Sequence, residues 1–203
     1  MKRYIQLLIQ AAFFVLFIVL VAVGKINLWM GLFVPSIVAS LFLGRVYCGW
    51  ICPINPSMNL VTWLKKKLNI KSFNIPKGLM KPTVRYLFFV LFFIILILNL
   101  KNGQKLPVLP LIILLGMIIT LFFNEEMFHR FLCPFGTILH FTSSKSNHHM
   151  SIDEDKCNNC GKCMRVCTAK AVEKGRTHNI LKIDCLVCMK CSRNCKQNAI
   201  NYK

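Results

Sequence analysis

The sequence predicts an α-helical membrane core of about four transmembrane helices, built as two tandem hairpins, with a small cysteine-rich α+β domain at its C-terminal end. Three observations carry that expectation. The 203-residue chain is 55% hydrophobic with a mean hydropathy of +0.53, too apolar for an ordinary soluble protein. Its apolar residues gather into four stretches separated by polar and basic segments. Eight of its 11 cysteines fall in two evenly spaced runs between Cys157 and Cys195. The expected segments are a core over residues 1–141, a linker over 142–151 and the cysteine-rich domain over 152–203.

The first apolar stretch runs from about Tyr4 to Gly24 behind the basic start Met1-Lys2-Arg3. A cleaved signal peptide is its rival reading. The stretch exceeds the usual apolar run of a signal and a second follows at once, which predicts a retained anchor. The second, about Ile26 to Leu43, contains Gly31, Pro35, Ser36 and Ser40, small or kinking residues that suit close packing of membrane helices. The third covers about Val84 to Leu100 and the fourth, shorter, about Pro107 to Phe123. Between the second and third, a surface helix is expected from about Pro56 to Ile70, with Asn55 as N-cap. Leu60, Val61, Leu64 and Leu68 fall on one face of it, Trp63 at the edge and Lys65 to Lys67 alongside, the pattern of a helix lying in the headgroup layer. A solvated basic loop is the plainer alternative.

Charge orients these spans. The formal charge is +19, from 26 Lys and Arg against 7 Asp and Glu. Such a balance invites nucleic acid as partner, but most of the bases flank apolar spans, so anionic membrane lipid is the expected counterpart and nucleic acid is not. The segment from Arg45 to Arg85 holds Lys65, Lys66, Lys67, Lys71, Lys77 and Lys81. The first hairpin tip has only Lys25, and the second has Lys101 and Lys105. The positive-inside rule then predicts a multi-pass protein of the cytoplasmic membrane with both termini and the cysteine-rich domain in the cytoplasm. A tail that must keep eight thiols reduced points to the same side.

The two runs are Cys157-x2-Cys160-x2-Cys163-x3-Cys167 and Cys185-x2-Cys188-x2-Cys191-x3-Cys195, each cysteine of the first recurring 28 residues later. Two-residue gaps let three thiolates converge on one face of a cubane, while the fourth leads into a short helix that reaches a neighbouring site. This is the spacing of a bacterial-type ferredoxin with two [4Fe–4S] clusters, in which the fourth cysteine crosses over. The assignment is Cys157, Cys160, Cys163 and Cys195 to one cluster, and Cys185, Cys188, Cys191 and Cys167 to the other. Zinc knuckles leave no use for a third and fourth cysteine in one run, and disulfides suit small secreted domains. Thr168 and Lys196 stand where this pattern usually has proline.

Three cysteines remain. Gly44-Arg45-Val46-Tyr47-Cys48-Gly49-Trp50-Ile51-Cys52-Pro53 follows the second span, and His129-Arg130-Phe131-Leu132-Cys133-Pro134 follows the fourth. A shift of 81 residues lays Cys52-Pro53 on Cys133-Pro134 and Cys48 on His129, so the core reads as a duplicated hairpin. Cys48, Cys52, Cys133 and His129 form a soft-ligand set that could hold a further Fe–S centre or act as a redox-active thiol pair; packing cysteines are the plain alternative. Arg45 and Arg130 suit a quinone headgroup or a lipid phosphate, and equally simple anchoring.

Four spans, two Cys-x3-Cys-Pro-like elements and a two-cluster tail together resemble the NapH-type membrane ferredoxins, whose core is similar to those of NosR and CcoG-type proteins. His129 departs from that pattern, where a cysteine is expected. The resemblance implies an integral membrane iron–sulfur protein passing single electrons between the quinone pool, or a cytoplasmic donor, and a redox partner protein. It implies an electron-transfer subunit rather than an enzyme by itself. A second reading, of a different class, is an accessory factor that reduces a metal or thiol site on a client metalloprotein. No histidine lies inside the spans, and no haem-attachment, flavin or nucleotide motif is present.

Overall fold

The computed structural model describes residues 3–73, 75–101 and 107–203. Met1 and Lys2 of the basic start, and Lys105 at the second hairpin tip, lie outside the described residues. Helix α1 (Arg3–Ala22) is apolar almost throughout, and its stretch Tyr4–Ala22 is long and apolar enough to cross a membrane. Three shorter apolar helices follow it: α2 (Leu28–Leu43), the Pro82–Leu98 stretch of α5 (Pro82–Lys101), and α6 (Val108–Phe122). At 1.5 Å per residue, the 16 and 15 residues of α2 and α6 reach about 24 and 22 Å, short of a hydrocarbon layer of about 30 Å. Leu28, Val34, Val38, Leu87, Ile94, Leu98, Leu114 and Ile118 stand exposed around the bundle, an apolar surface that water does not favour.

The two halves repeat in three dimensions. After α2 come α3 (Val46–Trp50) and α4 (Ile54–Lys67); after α6 come α7 (Glu125–Met127), a π-helical turn (Phe128–Leu132) and α8 (Pro134–Ser143). In each half the backbone makes an i→i−5 bond into the cysteine before proline, Cys52 N–H to Tyr47 O and Cys133 N–H to Phe128 O, both 2.9 Å. The halves then exchange helices: α4 packs on α6 and α8 packs on α2. Phe33 meets both Tyr47 of its own half and Phe135 of the other, edge to face at 5.3 and 4.8 Å.

Helix α4 begins two residues earlier than the sequence suggested, with Pro53 as N-cap and Asn55 buried in the first turn. Leu60, Trp63, Leu64 and Leu68 remain exposed, whereas Val61 turns into the core. Lys65 is buried, and its Nζ donates to Thr120 O at 2.7 Å and Phe123 O at 3.2 Å, the carbonyl end of α6.

The C-terminal domain is a second duplication. Strand β1 (Met150–Ile152) pairs antiparallel with β4 (Ile200–Tyr202), and β2 (Val172–Glu173) with β3 (Asn179–Ile180). Short helices α9 (Lys162–Val166) and α10 (Lys190–Asn194) follow the cysteine loops and pack on each other. The segment between core and tail, expected as a linker over 142–151, is pinned. His148 N–H bonds Phe42 O at 2.8 Å, His149 and Lys203 exchange backbone bonds at 2.7 and 3.0 Å, and Ser143 and Ser146 are buried.

Candidate functional site

Each cysteine run wraps a loop whose backbone is turned into the left-handed region at matching places. Asn159 and Val187 have φ of 53° and 51°, Gly161 and Met189 of 70° and 57°, and Lys170 and Asn198 of 49° each, the members of each pair 28 residues apart. This conformation is costly for a β-branched residue such as Val187, so the structure around the loop has to hold it in that shape. Alternating right- and left-handed residues turn successive N–H groups inward and make an anion-binding concavity of the kind found at phosphate and Fe–S sites.

The structure gathers the cysteines into two sets. Cys157, Cys160, Cys163 and Cys195 line one cavity, and Cys167, Cys185, Cys188 and Cys191 line another. Each set takes three cysteines from one run and the last from the other. Among the described residues no three of these groups crowd a single point as one metal ion would require; they are ranged around a space instead. Burial pushes the Cys185 thiol up to about 12 and raises Cys191, Cys167 and Cys163 as well. Thiolates here need positive charge beside them, and four thiols, inward N–H groups and a shared cavity fit the donor requirement of a [4Fe–4S] cluster.

The inner cavity, that of Cys185, abuts the helical core through Gly49. A Cβ on Gly49 would stand 2.4 Å from Leu186 O and 3.1 Å from Cys188 N, so the Cys48-to-Cys52 turn and the cluster loop meet backbone to backbone. Trp50 Nε1 donates to Val187 O at 3.0 Å. From α1, Gln6 donates to Gly49 O and Cys188 O, Gln10 donates to Gly49 O, and Arg193 donates to Gln6 Oε1. One turn apart on an apolar helix, two amides on one face were the sequence signal for this contact; the reading of α1 as a plain anchor passed over it.

Cys48, Cys52 and Cys133 are all buried beneath this contact. Each Cys-Pro step places its sulfur at the start of a helix: Cys133 caps α8, its Sγ accepting from Gly136 N–H at 3.3 Å, and backbone N–H groups of Ile54 and Asn55 point at Cys52. Burial nonetheless dominates, raising all three thiols, Cys133 to about 12. His129 is buried in the π-turn with Nε2 unpartnered. Burial, reinforced by the charges of Arg45 and Lys190, pulls it down to about 3, so the imidazole is neutral at physiological pH. Arg45 lies among them at 1% exposure, its Nη2 4.0 Å from Cys48 Sγ and its Nε without a partner. Among the described residues Arg45 forms no ion pair.

A second contact between core and tail was not foreseen. Asp184, one residue before Cys185, is buried and ion-paired to Arg85 at 3.0 Å and Arg130 at 3.2 Å, with His140 Nδ1 at hydrogen-bonding distance, 3.2 Å. Burial alone would raise its carboxyl, but the bonds from His140 and Arg85 and the charge of Arg130 win and hold it well below the usual carboxylate range. The four residues, with Tyr86 and Phe131, line a cleft at the start of α5. Arg85 had counted only as one of many bases; a cation at the head of an apolar span was the clue to a partner. Arg130 lines this cleft, and Arg45 does not.

A family model described as a 4Fe-4S binding domain matches the chain twice, over residues 28–71 and 106–152, one match on each half of the core. A second model of the same description matches residues 149–172. The chain is 30% identical over 176 residues to the uncharacterized protein MJ0749 of Methanocaldococcus jannaschii, covering 82% of this chain and 68% of that one. It is 28% identical to the ferredoxin-type protein NapH of Haemophilus influenzae, covering 78% and 62%, and 25% identical to the putative electron transport protein YccM of Escherichia coli, covering 82% and 53%. No solved structure matches it.

Proposed function

The chain belongs to the NapH-type ferredoxins with 4Fe-4S binding domains, membrane proteins of iron–sulfur electron transport, and from that premise we propose a relay of two [4Fe–4S] clusters docked on a four-span core. Cys157, Cys160, Cys163 and Cys195 hold the outer cluster; Cys167, Cys185, Cys188 and Cys191 hold the inner one. The observation that carries this reading is the pairing of each cysteine set with one cavity, three residues from one run and one from the other. Bound there, the clusters supply one-electron acceptance and release. The protein's part is placement: Gly49, Trp50 and Gln6 hold the inner loop against the Cys48–Cys52 turn.

The membrane-side donor in this reading is a quinol, and a redox partner protein takes electrons from the exposed tail. A quinol gives up two protons with its two electrons. The cleft of Arg85, Tyr86, Arg130, Phe131, His140 and Asp184 supports that role, with His140 as acceptor of one proton, solvent at the partly exposed Arg130 side as acceptor of the other, and an aromatic wall beside the residue preceding Cys185. Cys48, Cys52, Cys133 and His129 form a further redox centre at the junction. Arg45 favours this assignment, because a guanidinium so deeply buried without a carboxylate needs a negative charge nearby; its Nη1 donates to Ile183 O at 3.4 Å, a neutral carbonyl, and the group beside it able to carry charge is Cys48 Sγ, 4.0 Å from Nη2.

The test is an EPR-monitored redox titration of anaerobically purified full-length protein, with iron and sulfide counted per chain. About eight irons with Cys188→Ala removing one signal fits two clusters, and about twelve places a cluster at the junction as well. A Cys48→Ser variant should abolish any signal near the quinone couple. Clusters that menaquinol and ubiquinol analogues both leave oxidised would overturn the quinol donor and point to a soluble one.

A further inference from the structure

Resting on the cluster assignment above, we propose that His178 donates a hydrogen bond to the outer cluster, and that this makes the outer cluster the higher-potential member of the pair. His178 is 5% exposed and lines the cavity of Cys157, Cys160, Cys163 and Cys195. Neither ring nitrogen has a partner. Its backbone is fixed on both sides, by Asn159 Oδ1, which accepts from His178 N–H at 3.2 Å, and by β3, which begins at the next residue. The ring is therefore held where it is rather than parked there. Its Nε2 stands 3.8 Å from where a Cβ on Gly161 would be, over the middle of the Cys160-Gly161-Lys162-Cys163 loop.

A buried imidazole always carries at least one N–H, and leaving it unpaired forfeits its hydration with nothing in return. The cavity it faces is ringed by sulfur, and thiolate and sulfide sulfurs accept hydrogen bonds. The duplication supplies a control within one molecule. Among the described residues the inner cavity has no histidine: its non-cysteine lining is Met150, Ala169, Ala171, Val172, Ile180, Leu186 and Met189, with two polar residues, Thr168, whose hydroxyl is the one unpartnered donor there, and Lys190, whose Nζ is spent on Asn59 Oδ1. Solvent exposure adds a smaller asymmetry of the same sign: each set has two half-buried cysteines, but of the other two the outer set has Cys160 exposed and Cys163 buried, whereas the inner set has Cys185 and Cys191 both buried. Hydrogen bonds to sulfur and solvent exposure both stabilise the more negative, reduced state of a cluster, and so raise its potential. The outer cluster then draws the electron, and flow runs from the membrane junction outward to the exposed face of the tail.

Full-length protein labelled with 15N-histidine and reduced by one electron per chain decides this. Pulsed EPR should show 15N coupling on the cluster that reduces first, and that signal should change in Cys160→Ala, identifying it as the outer one. The coupling should vanish in His178→Leu, the midpoint of the outer cluster alone should fall, and His178→Gln, which restores a donor, should recover part of the fall. A wild-type outer-cluster signal without 15N coupling overturns the proposal and leaves the cluster assignment standing. So does an inner cluster that reduces first. A wild-type protein with no signal sensitive to Cys160→Ala overturns the assignment itself. Should His178→Leu lose the cluster on purification, the presence or absence of the wild-type coupling still decides the matter.

Discussion

Asp184 carries the seat of the tail on the core. Three cationic or proton-bearing partners converge on one buried carboxylate, two of them, Arg85 and His140, through the same oxygen. Asn in its place keeps the shape but strands two guanidiniums, and removal of one partner from a buried ion pair costs about 3 kcal/mol. Asp184→Asn should therefore lower the melting temperature and redshift Trp50, whose indole bonds the inner loop; a fluorescence melt identical to wild type would show the contact to be idle. Because the folded-state carboxyl is held low, its stabilisation is present above its unfolded pKa of about 3.9 and is lost as pH falls through the depressed value. Acid should thus loosen the tail only below about pH 4. Gly49 gives a second prediction. Its missing side chain faces backbone atoms of Leu186 and Cys188, which cannot swing aside, so Gly49→Ala should cost about 1–3 kcal/mol and shift the inner cluster's EPR signal more than the outer one's.

At the scale of elements, the Cys-Pro step does two things that substitution can separate. In the second element Pro134 fits the first turn of α8, where its missing N–H is not needed, and Cys133 before it sits as N-cap, whereas in the first element Pro53 is itself the cap of α4. Cys133 accepts from Gly136 N–H in that position. Cys133→Ala should lose about 1 kcal/mol of capping from α8, while Cys133→Ser should keep it, since a hydroxyl accepts the same bond. If the sulfur also serves the junction centre, Ser restores the melt and leaves the redox signal missing; equal redox behaviour in Ser and wild type would reduce Cys133 to a cap. Both duplications were legible in the sequence, because cysteine spacing and the 81-residue echo are local patterns. The exchange of α4 and α8 between halves was not, since it depends on which apolar face meets which. Nor were the contacts of Trp50 and Asp184 with Val187 and Arg85, partners 137 and 99 residues away along the chain. His178 was hidden for the same reason: its place is set by the pairing of β2 with β3, not by any spacing to a cysteine.

For the molecule as a whole, every contact of the tail named above falls on one end of the helix bundle. The tail touches the start of α1 through Gln6, the end of α2 through Leu43 O and Tyr202, the start of α5 through Arg85, and α7, just past the end of α6, through Glu126 and Lys170. If the four helices cross a membrane, up, down, up and down, the tail and both cysteine elements share one face of it. That face carries Arg45, Lys65, Lys66, Lys67, Lys71 and Lys81, against Lys25 and Lys101 at the described far ends. Positive charge is retained in the cytoplasm, so the tail is predicted there. Trypsin should cut the tail at exposed sites such as Lys156 and Lys174 in inside-out membrane vesicles and leave it whole in right-side-out ones. The opposite pattern would put the clusters outside, and with them the demand for a reducing compartment would fail. Cleavage from neither side, in vesicles where Asp184→Asn is cut, would show that docking alone shields the tail, and the Asn variant then reports the side.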